Sequence, residues 1–87
     1  SYLAMDGSGS IDGGEFTTQI SGYSAALNAF FAANPAAFGK VAIGGNIFGS
    51  NVIEFAPLAV INNAGDLATL TTAINGLDPG RAGIGTG

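Results

Sequence analysis

The stretch AMDGSGSIDGGEF, residues 4–16, decides how this chain is read. Two unrelated metal-binding devices are spelled with nearly these letters. One is a calcium loop held between two helices. The other is an Asp-x-Ser-x-Ser turn at the top of a parallel sheet, which holds magnesium and leaves a coordination position for a partner's carboxylate. The residues on either side of the stretch separate the two.

Upstream stands SYLAM, a short apolar run that stops at Asp6, and Gly7, Ser8, Gly9 and Ser10 follow as turn formers. This reads as a strand of buried character and then a loop. Downstream, Asp12 and Glu15 have capping-box spacing. Phe16, Ile20, Tyr23, Leu27, Phe30 and Phe31 then recur at helical spacing, which predicts a helix over 13–33 that ends where Pro35 disfavours helical geometry at Asn34. From Lys40 the period becomes two: Val41, Ile43, Gly45 and Ile47 alternate with Ala42, Gly44 and Asn46. A turn at FGSN leads into VIEFAPLAVI, so two strands form a hairpin, and Pro57, which cannot donate to a ladder, makes the second an edge strand. Finally, Asn63 as N-cap, Asp66 in the first turn, the stripe Leu67, Leu70 and Ile74, and Gly76 as a stop predict a second helix before the tail DPGRAGIGTG. The order is strand, helix, strand, strand, helix. It fits a half-size α/β sandwich with one helix on each sheet face.

In the calcium-loop reading, that of an EF-hand, Gly9 takes the place of the obligatory glycine, Ile11 the hydrophobic position and Glu15 the closing bidentate carboxylate, with Asp6, Ser8, Ser10 and Asp12 supplying oxygens. The first ligand position then falls on Ala4, which has no side-chain oxygen. The entering helix would have to fit into residues 1–3, and no second loop follows. The strand-turn reading asks less, because residues two apart in extended chain point the same way and Asp6, Ser8 and Ser10 converge on one point. Neutral hydroxyls beside one or two carboxylates leave a cation underneutralised and attractive to an outside anion. A solvated turn whose side chains satisfy backbone amides is the plain alternative.

At these residues the chain resembles the von Willebrand factor type A domain, the metal-dependent adhesion module. The similarity runs through the apolar strand, DGSGS, the long helix, KVAIGGNIFGS, NVIEFAPLAVI and DLATLTTAINGL, with GIGTG where the family carries a metal-binding threonine. The resemblance implies half of a doubly wound, Rossmann-like sheet with an antiparallel edge strand, forming a single partial domain over 1–87. It also implies a metal shell of Asp6, Ser8, Ser10 and Thr86 around Mg2+, or alternatively Ca2+. The function it implies is non-enzymatic protein binding through a ligand's acidic side chain, at an extracellular or cell-surface location. The family's later metal-shell aspartate and three further strands would lie beyond Gly87, and GG within AIGGNIF is richer in glycine than the family's second strand.

Composition narrows the chemistry. The 87 residues suit one domain at most, and 47% are hydrophobic while only 9% are charged, unlike a disordered acidic tail. With a net charge of -4 and only Lys40 and Arg81 as cations, phosphate-backbone binding is not expected, so nucleic acid is not the expected partner. Cysteine and histidine are absent. Thiolate and imidazole sites and His-based triads are therefore excluded, and oxygen ligands for hard cations remain. SAALNAFFAANPAAF is interrupted by Asn28, Asn34 and Pro35 and is shorter than the roughly 20 residues of a membrane span. The sequence begins at Ser1 rather than Met and has no basic stretch ahead of an apolar one, so no secretion signal is visible in it and upstream processing or trimming is expected.

No candidate nucleophile comes with a base, so enzyme activity is not expected. Asp12 and Glu15 are expected as capping residues, Phe16, Tyr23, Phe30 and Phe31 as core, and Glu54 on the solvent side of its strand. The first strand would have an unpaired apolar edge, which predicts a homo-oligomer or docking against a missing complementary segment.

Overall fold

A computed structural model describes residues 1–6, 13–49 and 51–77. The elements run β1 (Tyr2–Asp6), α1 (Gly13–Ala33), β2 (Ala42–Phe48), β3 (Val52–Val60) and α2 (Ala64–Asn75), with a 3-10 turn at Pro35–Ala37. The protein is α/β, with a mixed three-stranded sheet of order β1-β2-β3. β1 lies parallel to β2 with Tyr2 opposite Gly44 and Asp6 opposite Phe48. β3 returns antiparallel, with Phe48 opposite Val52 and Ala42 opposite Val60. Pro57 sits on this edge strand, where its missing N–H leaves no gap between strands.

Strand alternation sorts the side chains onto two unlike faces. Leu3 and Met5 of β1 and Ile43 and Ile47 of β2 point to one side, where they join Phe16 and Phe31 of α1, Leu67, Leu70 and Ile74 of α2, and Ile61 in a single core. Tyr2 and Ala4 point the other way and are exposed, so β1 is half-buried rather than buried throughout.

The expected helix on each face is corrected: both helices pack on the same face. They touch one another, and Ser24 Oγ donates to Asn75 Oδ1 at 2.7 Å between them. The physical reason lies in the strands. The large aliphatic residues of β1 and β2 are all on one side, while the opposite side of these two strands offers Ala4, Gly44 and Asn46 between the aromatic rings of Tyr2 and Phe48, so both helical stripes find their aliphatic complement on the same face.

The helix ends follow local chemistry. At α2 the Asp66 amide donates to Oδ1 of the N-cap Asn63 at 2.9 Å, and the amide of Asn62, the residue before the cap, donates to Asp66 Oδ2 at 3.0 Å. At the end of α1, Asn34 Nδ2 donates to the Phe30 carbonyl at 2.9 Å before Pro35 opens the 3-10 turn. Phe38, just beyond it, stacks on Phe31 at 4.6 Å between centroids. Phe30, expected in the core, is instead 43% exposed and meets Phe31 edge-on. Neighbouring helix positions diverge by about 100°, so Phe30 and Phe31 cannot both face inward.

The glycine pair in β2 has a packing reason. The register between β2 and β3 shifts on both sides of Gly45, bulging β3 toward its neighbour. A Cβ on Gly44 would stand 2.6 Å from the Leu58 backbone nitrogen, and one on Gly45 would stand 2.5 Å from Phe55 Cζ. The apparent weakness of AIGGNIF as a strand is thus the condition for its closeness to β3. Gly44→Ala is expected to destabilise the fold by about 1–3 kcal/mol, because the obstructing atom is backbone and cannot rotate away. A urea unfolding curve checks this through a lower midpoint with an unchanged slope.

Candidate functional site

β1 and β2 are parallel and joined by α1, so the carboxyl ends of both strands lie at the same end of the sheet. In open α/β sheets ligands bind outside the carboxyl ends of the strands where the strand order reverses; the described order β1-β2-β3 has no such reversal, and β1 stands at its edge. Asp6 is the last residue of β1, backed in register by Phe48, and α1 begins at Gly13 after the DGSGS segment. The amino end of a 21-residue helix follows in the chain, carrying the partial positive charge of its aligned peptide dipoles. Glu15 lies exposed in its first turn.

Of the four residues expected as metal ligands, Asp6 is placed by its backbone at the end of β1. Ser8, Ser10 and Thr86 lie outside the described residues, as do Asp12 and Arg81. Among the described residues no group of three or more acidic, histidine or cysteine side chains gathers as a metal cage. α2 starts at the opposite end of the sheet, after Val60, and runs back to place Asn75 against Ser24 near the middle of α1. Leu77, which follows it, is half-buried.

The calcium-loop alternative requires an entering helix over residues 1–3 and a loop from Ala4, and Tyr2–Asp6 is instead a strand laddered to β2. The helix-loop-helix frame of that reading is therefore not formed.

The polar contact that sequence reasoning missed lies on the sheet face opposite the helices. The Tyr2 hydroxyl donates to Glu54 Oε2 at 2.6 Å, reaching from β1 over β2 to β3. Glu54 is on the solvent side of its strand, as its sequence position suggested. No local signal links the two residues. The register of both strand pairs brings them together by setting Tyr2 opposite Gly44, and Asn46, two residues on, opposite Glu54. Gly44 has no side chain to interrupt the reach.

The hydrogen bond to Glu54 is the main cause that lifts the Tyr2 phenol above its ordinary value of 10.0; desolvation and the carboxylate's charge add to it, and a bond with Asn46 acts in the opposite sense. Because the folded value is raised, the contribution to stability is fully present below the unfolded phenol value. It is lost as pH rises through the folded one. In a Tyr23→Phe background, ultraviolet titration is expected to show the Tyr2 phenolate forming later than in a free phenol. Glu54→Gln should bring that transition back down. A transition unmoved by Glu54→Gln would remove the contact.

Elsewhere, a groove of about 280 Å³ opens between β3 and α2, floored by Phe55, Ala56, Leu70 and Ala73 and edged by Pro57 and Asp66. Its two ionisable or hydroxyl groups are engaged locally, Asp66 by the Asn62 amide and Thr69 by the Gly65 carbonyl. Comparison with protein-family models, with curated proteins and with solved structures returns no match for this chain.

Proposed function

We propose that the chain is a non-enzymatic protein-binding module of von Willebrand factor type A kind, formed by half of a doubly wound, Rossmann-like sheet, with a divalent cation at the carboxyl end of β1. The observation that supports this reading is the position of Asp6. It ends a strand that is parallel to its neighbour and is followed along the chain by the letters GSGS and then by α1. An Asp-x-Ser-x-Ser segment at that point starts at the carboxyl end of a parallel strand, the end of an open α/β sheet on which ligands are bound, and the same letters in an arbitrary loop would lack that support.

The donor chemistry fits a hard cation. The chain offers only oxygen ligands, since it has neither histidine nor cysteine, and Mg2+ keeps waters and takes few carboxylates. Asp6 would supply the charge, Ser8 and Ser10 neutral hydroxyls, and Thr86 a further hydroxyl. With so little negative charge from the protein, the ion retains affinity for an external carboxylate. An acidic side chain of a protein ligand is accordingly the expected partner. The positive end of α1 favours the same anion.

Among the described residues no helix is long and apolar enough to cross a membrane. Calorimetric titration with magnesium tests the proposal. The unaltered chain is expected to bind, and Ser8→Ala or Ser10→Ala is expected to abolish binding with little change in far-UV circular dichroism. Equal binding by both variants would overturn the metal assignment.

A further inference from the structure

The two helices cover one face of the sheet, and among the described residues nothing covers the other. Most of the large exposed apolar side chains gather there: Val52 at 67% exposure, Leu58 at 59%, and Tyr2, Val60 and Phe48 beside them. Soluble chains scatter such residues singly, whereas here they gather on one sheet face, Phe48 and Val52 at one end and Tyr2, Leu58 and Val60 at the other, with the polar pair Asn46 and Glu54 between them. We propose that this face is the interface between two copies of the chain, packed sheet against sheet about a two-fold axis.

Three observations favour a second copy as the occupant. The first is area. The five side chains leave roughly 500 Å² open, about a tenth of the molecule's 4588 Å² surface, so apposing the face to itself buries about 1,000 Å², the lower limit of a specific interface. The second is charge. Among the described side chains of this face the one carboxylate is Glu54, already hydrogen-bonded by Tyr2. A basic or acidic partner would find almost nothing to pair with, whereas an equally apolar surface meets no unpaired charge. The third is shape. The three strands form a continuous surface with small residues at Ala4 and Gly44, and two sheets of the same twist pack face to face with aligned strands. A closed two-fold contact uses the same patch on both copies, and self-association stops at the dimer.

Sedimentation equilibrium of the 87-residue chain across micromolar concentrations is expected to show the mass rising from 8.5 kDa to twice that value. Leu58→Lys and Val52→Lys, each placing a charge at an exposed position, should weaken association at least tenfold without changing far-UV circular dichroism. Because the chain contains no cysteine, a nitroxide on Val52→Cys gives a second readout: its spectrum should be immobilised at high concentration and mobile on dilution. A folded wild-type chain with the mass of one copy at every concentration overturns the proposal. So does association that survives both lysine substitutions with a mobile label, the result expected if the outer edge of β1 pairs instead.

Discussion

Everything in this fold depends on the alternation of side chains along β1 and β2, which puts Leu3, Met5, Ile43 and Ile47 on one side of a three-stranded sheet. Each large aliphatic side chain buried there contributes on the order of 1.5–3 kcal/mol, and β1 and β2 have no large aliphatic residue on the other side. Both helices must therefore share that side. Their own stripes, Phe16 and Phe31 on α1 and Leu67, Leu70 and Ile74 on α2, close over it, and the Ser24–Asn75 hydrogen bond joins the two helices where they meet.

The one-sided core has two consequences that bear on function. It leaves Asp6 at the carboxyl end of β1, parallel to β2, with the amino end of a long helix next in the chain. It also leaves the opposite face apolar and open, crossed by the Tyr2–Glu54 hydrogen bond.

Much of the architecture was legible because its signals are local. Asn63 and Asp66 announce a helix start through side chains that reach only three or four residues, Pro35 ends α1 through its effect on the preceding residue, and Pro57 marks an edge strand by lacking a donor. Phe30 misled for an equally local reason. Apolar character alone does not say which of two adjacent aromatic residues turns inward, and Phe38 beyond the helix completed the cluster around Phe31 instead. The candidate site was legible as a motif. Its position at a parallel strand end required the pairing of β1 with β2, separated along the chain by the whole of α1.

By itself, the sequence determined the order of elements, their boundaries and the oxygen-only donor chemistry, since these follow from periodicity, capping and composition within a few residues. The tertiary structure decided what no short window contains: that both helices lie on one face, that Gly44 and Gly45 are where a bulged strand comes too close for a Cβ, and that Tyr2 bonds Glu54. Those outcomes depend on the register between distant strands. Register is set by the competition of whole faces for burial, and no single residue along the chain carries it.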